Sequence, residues 1–177
     1  MTAADVRQAL HALTDPARAA LLQRFFKTGP GQYGEGDRFI GPAVPPQRAV
    51  ARQFRDLPPA EVEQLIQDPF HECRFVGLTI WCLQVSGKFT SSAVRDDRAA
   101  RYLRLRCFVN NWDLVDTTAP ALLSGWLLRE VGKREPEALH EFLRTHASRM
   151  PRTALRYAIE RLPAGERQTY MTAKVSC

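Results

Sequence analysis

The stretch Asn-Asn-Trp-Asp-Leu-Val-Asp occupies residues 110–116, and we predict that it lies in a helix. Trp112 and Asp116 are four residues apart, so a helix places both of them on one face. Leu114 and Val115 lie on other faces of the same helix and can pack in the hydrophobic core. A tryptophan and a carboxylate on one concave surface would form a candidate binding site. The alternative is that Trp112 is a core anchor and that Asp116 is a capping or salt-bridged residue.

Capping residues and prolines divide the rest of the chain into short helices. Thr2 and Asp5 form a capping-box pattern, and Asp15-Pro16 supplies an N-cap followed by proline at the first helical position. Gly87 lies where a glycine that ends a helix is expected. We predict helices near residues 3–13, 16–26, 46–54, from 58 onward, 69–85, 91–107, 110–131, 135–148 and 151–162.

The arrangement of these helices predicts an all-α protein. No stretch shows sustained β alternation bounded by hairpin turns. The helices come in pairs spaced by roughly 40 residues, which is typical of HEAT-like repeats. We therefore expect a single domain over residues 1–177, built of HEAT-like helical repeats stacked as a short α-solenoid. Because the repeats share little sequence, a generic helical bundle is the alternative.

Composition points to an ordinary globular protein. The 177 residues are 45% hydrophobic and 25% charged, and a chain of this length can bury a core of its own. The longest apolar run, residues 78–83, is far shorter than the roughly 20 residues that cross a bilayer. Residues 1–5 lack the basic start and apolar stretch of a signal peptide. We expect a cytoplasmic protein without a membrane partner.

The cysteines and histidines show none of the paired spacings of a zinc site. Cys73, Cys82, Cys107 and Cys177 contain no CxxC pair, and the four histidines are scattered. We expect buried or incidental thiols and surface imidazoles, with no metal and no cofactor. The glycine-rich segment 29–36 lacks the lysine and Ser/Thr of a P-loop, and we expect it to pack beside the repeat surface.

The formal net charge of +6, carried mostly by arginine, favours a polyanionic partner. Arg149, Arg152 and Arg156 gather about Pro151 at the start of a predicted helix, where free backbone N–H groups also favour anions. We predict that these arginines bind DNA, and a solvated charged surface is the alternative. A second group on one helix spreads around it: Arg95, Arg98, Arg101, Arg104 and Arg106.

Four segments together resemble the AlkD-type DNA alkylation-repair glycosylases. They are residues 26–37, residues 110–116 with Ala119-Pro120, residues 125–134 and residues 150–160. The resemblance implies a curved stack of HEAT-like helical pairs that cradles duplex DNA and excises cationic N3- or N7-alkylated purines as a monomer, without metal or cofactor. By the same resemblance, Asp116 is the catalytic carboxylate, and Trp112 and Trp126 are the aromatic pair that contacts the deoxyribose of the lesion.

The chain departs from the family pattern between Asp116 and Trp126. The family has at least one further helical pair there, with a functional arginine, whereas this chain has only the nine residues 117–125. In one straight helix Trp126 would lie about 21 Å from Trp112. A break at Pro120 and Gly125 would reduce this distance.

The missing segment leaves three functions open. The first is a glycosylase in which Asp116 stabilises the positive charge that develops at the sugar C1′. The second is a shortened, non-catalytic relative that binds DNA or a protein partner. The third is an unstable product with a mismatched junction, because helical pairs bury one another's apolar faces.

Overall fold

The chain folds into α-helices joined by short loops, as the sequence predicts. A computed structural model describes residues 1–87, 90–150 and 152–172, and within these ranges it leaves out only the side chains of Ser124, Trp126 and Thr153. In that part of the chain the sole β-type pairing is an isolated bridge between Arg38 and Phe70. The all-α, helical-repeat class is therefore confirmed. The helices are α1 (Ala3–His11), α2 (Pro16–Phe25), α3 (Val44–Gln53), α4 (Pro59–Ile66), α5 (His71–Ser86), α6 (Ser92–Arg104), α7 (Trp112–Ala119), α8 (Gly125–Arg134), α9 (Pro136–His146), α10 (Arg152–Ala158) and α11 (Ala164–Thr172).

Local capping signals start the first helices where the sequence predicts them. The Thr2 hydroxyl accepts the backbone N–H of Asp5 at 3.3 Å, and the Asp5 carboxylate accepts that of Thr2 at 2.7 Å, which completes the capping box. Asp15 accepts the N–H of Arg18 at 2.9 Å. Gly87 follows the last residue of α5, but its backbone is extended (φ −62°, ψ 137°), a conformation that does not itself require glycine.

The sequence prediction misses α11. This helix follows Pro163 and carries Glu166 in its first turn, both of which are signals of a helix start. None of its residues is buried. Tyr170 and Met171 are partly buried, but two adjacent residues form no apolar stripe for the periodicity of the sequence to reveal.

α5 lies at the centre of the larger of two apolar clusters, with other helices packed around it. Eleven of its 16 residues are buried, and Trp81 is fully enclosed. α3, α4 and α7 all pack against it. A helix buried all round has no solvent face, so it fixes the positions of the helices that surround it.

Buried apolar side chains form two clusters, which α8 connects. The larger cluster is built around α5 and extends from Ala3 to Leu122. Leu128 of α8 packs against the smaller cluster, while α8 also contacts α6 and α10. The organisation of residues 1–177 as one domain stays a prediction. The smaller cluster comprises Leu139, Leu143, Ala147, Leu155 and Ile159.

α7 and α8 form one continuous helix, which we call the long helix (residues 112–134). A π-helical turn, Pro120–Ser124, joins them without a break. Proline lacks the backbone N–H of a regular helix, and π turns occur where the normal bonding pattern is interrupted. The fourteen residues from Trp112 to Trp126 therefore rise by about 21 Å. One extra residue in the turn also rotates the next part of the helix by roughly 100°, so residue 126 is out of phase with residue 112.

The long helix docks closely on α10 through Gly125. A Cβ atom at this position would lie 2.8 Å from the carbonyl oxygen of Ala154 and 2.8 Å from Cβ of Tyr157. Either distance is well inside van der Waals contact. The long helix and α10 are thus in close contact at Gly125, in contrast to the mismatch that a missing segment suggests.

Arg129 ties three helices together in a buried ionic network. Its side chain is 2% exposed and pairs with Asp96 of α6 and, at 3.4 Å, with Glu160 just after α10. The guanidinium lies 4.7 Å from the ring centroid of Tyr157, whose hydroxyl donates to Asp96 at 2.5 Å. Burial raises the pKa of Tyr157, and its hydrogen bond to Asp96 acts in the same direction. The network joins α6, α8 and α10.

We predict that Arg129→Met lowers the free energy of unfolding by about 2 kcal/mol, because it leaves Asp96 and Glu160 without their shared partner. Both carboxylates are partly exposed, which limits the loss. Arg134→Met on the same helix is the matched control, since Arg134 is exposed, and it should change the free energy by less than about 0.5 kcal/mol. Urea denaturation measures both. Equal losses in the two variants would contradict a stabilising role of the network.

Candidate active site and nucleic-acid interface

Trp112 and Asp116 both lie on the exposed face of the first turns of α7. Asn111 has an extended backbone (φ −122°, ψ 142°) and forms the N-cap, so Trp112 is the first residue of the helix. The Trp112 residue is 70% exposed, whereas Leu114 is fully buried against the core. Asp116 follows one turn later and is also exposed. The alternative that Trp112 is a core anchor is therefore wrong.

Asp116 lies at the edge of an open, apolar hollow on the long helix. Within the described ranges its carboxylate makes no hydrogen bond and no ion pair, so the capping or salt-bridged alternative is wrong as well. The hollow has a volume of about 590 Å³. An exposed carboxylate beside an apolar surface can meet a cation that packs there. The other lining residues are Val115, Ala119, Pro120, Leu123 and Leu127.

Asp113 turns from the same helical turn into the protein, where it meets His71. The Asp113 carboxylate lies 2.8 Å from Nε2 of His71, the first residue of α5. The imidazole packs against two phenylalanine rings, with ring centroids at 5.3 Å for Phe26 and 4.9 Å for Phe39, and these two rings lie 5.2 Å from each other. His71 is 4% exposed, so its ring is enclosed by this aromatic group and by its carboxylate neighbours.

Asp37 completes the cluster on the other side of His71. Its carboxylate lies 3.6 Å from Nδ1 of His71, an ion-pair distance without a hydrogen bond, and 2.6 Å from the guanidinium of Arg74. Asn110, two residues before α7, donates its side-chain N–H to Asp37 at 2.9 Å. We call Asp37, His71, Arg74, Asn110 and Asp113 the His71 cluster. It joins the end of the glycine-rich loop, the start of α5 and the start of α7.

Polar contacts outweigh burial in setting the protonation states of this cluster. Burial alone would raise the pKa of Asp37, but its contacts with His71, Arg74 and Asn110 lower that pKa to about 2. Burial alone would lower the pKa of His71, whereas its contacts with Asp113 and Asp37 raise it above the usual value. Both shifts favour the imidazolium form of His71 and the ionised form of Asp37 more than in the isolated side chains.

The expectation of surface imidazoles is wrong for His71. Forty-two residues separate it from Asp113, so no local spacing in the sequence links the two. Asp37 directly follows the glycine-rich segment 29–36, in which Gly34 is the one buried residue. That this segment packs beside the repeat surface stays a prediction. The one available signal is the Asp68-Pro69 helix start, which places His71 at the beginning of a buried helix.

The arginines of α6 are engaged by carboxylates and carbonyls of the protein itself. Arg95 is buried and donates to the carbonyls of Val85 and Gly87 at 3.3 Å each. Arg98 is buried beside Asp97. Arg101 and Arg104 both pair with Glu63. These side chains brace α6 against its neighbours, so most of them offer little to a phosphate.

The C-terminal arginines remain accessible. Arg149, Arg152 and Arg156 are all exposed, and the last two lie one turn apart on α10. Arg152 donates to the carbonyl of Met171 in α11. In the described part of the chain Arg149 and Arg156 form no ion pair. Pro151 and the side chain of Trp126 lie outside the described part of the structure, and their predicted roles stay predictions.

Two further expectations concern metals and membranes. In the described ranges no group of three His, Cys, Asp or Glu side chains is arranged to hold a metal ion. Cys73, Cys82 and Cys107 form no disulfide, and burial raises the pKa of Cys82 to about 12; Cys177 lies outside the described residues. No described helix is both long and apolar enough to cross a membrane.

Fold and site together define an all-α helical-repeat protein with a carboxylate and a tryptophan presented on one exposed helical face. The chain belongs to the DNA alkylation repair enzyme family, whose model matches residues 6–124 and again residues 123–162. The two matched stretches meet at residues 123–124, at the end of the π-helical turn. This point lies within residues 117–125, where the chain lacks a segment that the family pattern contains. Comparison with curated proteins finds no match, and comparison with solved structures finds none either.

We predict that Asp37→Asn lowers the free energy of unfolding by about 2 kcal/mol at pH 7. The pKa of Asp37 is depressed from 3.8 to about 2 in the folded protein, so its contribution is present above 3.8 and declines as the pH falls through 2. The difference between wild type and variant should shrink by about 1 kcal/mol between pH 7 and pH 3. Urea denaturation across this range measures it.

Asp56→Asn is the control, because the Asp56 side chain is 75% exposed. Its difference from wild type should stay near zero throughout the range. A difference for Asp37→Asn that does not change with pH would show that the Asp37 carboxylate is not held in the ionised state by the cluster.

Proposed function

We propose that the protein is a DNA N-glycosylase that excises positively charged N3- and N7-alkylated purines from duplex DNA. Membership of the DNA alkylation repair enzyme family supports repair of alkylated bases. The observation that carries the proposal is the exposed Asp116 carboxylate, which lies one turn from the exposed Trp112 and beside an apolar hollow. The reaction requires no metal and no cofactor.

The substrate supplies its own leaving-group activation. Alkylation at N3 or N7 makes the purine cationic, so the bond between N9 and C1′ can break with its electron pair moving to the base. The base then leaves as a neutral molecule, and the positive charge moves to the sugar. Water adds to C1′ and loses one proton, which leaves an abasic site. No strong general acid is needed at any point.

Asp116 and Trp112 suit the cation that forms at the sugar. A carboxylate stabilises the developing oxocarbenium charge and can orient the attacking water. The face of an indole ring attracts a nearby cation by about 0.5–2 kcal/mol. When bound DNA covers the adjacent hollow, its apolar lining excludes water and reduces the screening of these interactions. The catalytic roles of Trp112 and Asp116 are therefore mutually consistent.

A non-catalytic relative that binds DNA or a protein partner is the second candidate. The observation that favours it is the continuity of the long helix, which leaves residue 126 about 21 Å from residue 112 along the axis. Two helix positions at that separation do not present their side chains to one sugar. The family's functional arginine also has no counterpart among residues 117–125.

The proposed DNA contacts are made by the exposed arginines 149, 152 and 156. Guanidinium groups bind phosphates with paired hydrogen bonds, and the net charge of +6 assists association with duplex DNA. Since the arginines of α6 are paired internally, the surface near α10 is the preferred path for the backbone. A monomer acting in the cytoplasm is the simplest context for this activity.

We predict that wild-type protein releases 7-methylguanine from duplex DNA above the spontaneous rate and that Asp116→Asn lowers the catalysed rate by about a hundredfold or more. The amide keeps the shape of the side chain but cannot neutralise the cation. Glu137→Gln on α9 is the matched control, since Glu137 is an exposed carboxylate away from the site. Chromatography of the free base measures release.

The outcomes separate the two candidates. Release that is lost in Asp116→Asn and retained in Glu137→Gln supports the glycosylase. Salt-dependent DNA binding by folded wild-type protein without any release supports the non-catalytic relative. Release that is equally fast in wild type and Asp116→Asn removes Asp116 from the mechanism.

We also predict that replacing Arg149, Arg152 and Arg156 by glutamine weakens binding to undamaged and damaged duplexes alike. Each lost phosphate contact should reduce the slope of log K against log salt by about 0.9. Arg104→Gln is the control, because Arg104 is 61% exposed yet already pairs with Glu63. Fluorescence anisotropy at several salt concentrations measures the slopes. An unchanged slope in the triple variant would show that the DNA binds to another surface of the protein.

A further inference from the structure

The first turn of α7 is held from within by two polar contacts, and both lead to the His71 cluster. Asn110 donates to Asp37 at 2.9 Å, and Asp113 lies 2.8 Å from Nε2 of His71. Trp112 lies between these two anchored residues, and Asp116 follows three residues after Asp113. The direction of both exposed side chains therefore depends on contacts made on the opposite, buried face of the same turn.

We propose that His71 is a positioning residue for the glycosylase reaction, because it bridges Asp113 and Asp37 and thereby fixes the turn that presents Trp112 and Asp116. This inference rests on the function proposed above. His71 itself lies too deep to meet the DNA, since it is 4% exposed. It acts through Asp113, which shares a helical turn with the proposed catalytic residues.

The other side of the bridge is rigid enough to serve as an anchor. The backbone N–H of His71 donates to the carbonyl of Arg38 at 2.8 Å, and Arg38 donates to the carbonyl of Pro69 at 3.1 Å. The neighbouring Glu72 is 1% exposed and accepts two backbone N–H groups, from Ile40 and Gly41, at 2.9 Å each. The loop and the start of α5 thus form one unit against which α7 is positioned.

The charges of the cluster balance only when His71 is protonated. The charged groups that face it are Asp37 from the loop, Arg74 from α5 and Asp113 from α7. Two carboxylates and one guanidinium leave one negative charge, which an imidazolium neutralises. A neutral imidazole has a single N–H and can donate to only one carboxylate, so the other would face a ring lone pair in a buried site.

The pH dependence of this positioning follows from the direction in which the pKa of His71 is shifted. Contacts with Asp113 and Asp37 raise the pKa of His71 above its usual 6.5. The bridge is therefore complete at and below pH 6.5 and is lost as the pH rises through the higher, folded-state value. Above that value a neutral imidazole can donate to only one of the two carboxylates, so the link that ties Asp113 to the loop weakens.

The first experiment needs no catalysis. Ring resonances of His71 and indole N–H resonances of the tryptophans are followed by NMR from pH 5 to pH 9, and His71 is assigned with the His71→Gln variant. We expect the Trp112 indole to shift with the same midpoint as the His71 ring. Trp81, buried on α5 away from the bridge, is the internal control and should not follow this titration.

Two variants make the coupling specific. In His71→Gln the shift of the Trp112 indole should disappear, because glutamine has no titrating group. In Asp113→Asn a neutral acceptor replaces the carboxylate. The His71 midpoint should then fall to lower pH, and the Trp112 step should fall with it. If His71→Gln does not fold, as judged by thermal melting, the joint movement in Asp113→Asn decides the question alone.

The second experiment measures release of 7-methylguanine under single-turnover conditions over the same pH range, corrected for the rate without protein. Wild type should lose rate above the His71 midpoint. His71→Gln should be slower by about tenfold to a hundredfold at pH 6 and should show no step, since small misplacements of reacting groups cost this much. In Asp113→Asn the step should move to lower pH.

Each outcome decides the proposal. A Trp112 resonance that ignores the titration of His71, or a His71→Gln enzyme with the wild-type rate and pH profile, would overturn it. A wild-type protein that releases no base would remove the glycosylase function. The NMR titrations would then still show whether His71 positions the Trp112 turn.

Discussion

The imidazole of His71 connects three segments that are distant in sequence, and the geometry of the exposed site depends on that connection. Burying Asp37, Arg74 and His71 together costs free energy unless each charge meets a partner. Here the partners come from the glycine-rich loop, from α5 and from α7, so satisfying the charges also fixes the three segments relative to one another. The site is stabilised by contacts on its buried side, while the face that carries Trp112 and Asp116 stays exposed.

The long helix imposes the second constraint. It carries Trp112 and Asp116 near one end and Arg129 near the other, and it connects the two apolar clusters. The π-helical turn at residues 120–124 rotates the residues that follow it about the helix axis, at the place where the two family matches meet. Continuity at this junction keeps the fold closely packed. The same continuity separates the two positions that the family resemblance assigns to one aromatic pair.

Net charge is a poor guide to which arginines are available for DNA. The chain carries a formal charge of +6, yet Arg101, Arg104 and Arg129 all meet carboxylates of the protein. In contrast, Arg149 and Arg156 form no ion pair within the described residues. Basic side chains thus have two uses here, as internal braces between helices and as candidates for phosphate contact.

The sequence by itself determined the helices and the family. Capping boxes, Asp-Pro starts and apolar stripes are local signals, so most helices lie where those signals place them. α11 was missed because its apolar contacts are limited to the partly buried Tyr170 and Met171, which form no stripe. Local spacing also placed Trp112 and Asp116 on one face. Only the tertiary structure decided that this face is exposed, that the helix continues through Pro120, and that His71 bridges Asp37 and Asp113. Those facts depend on contacts between residues far apart in the chain, which no local pattern encodes.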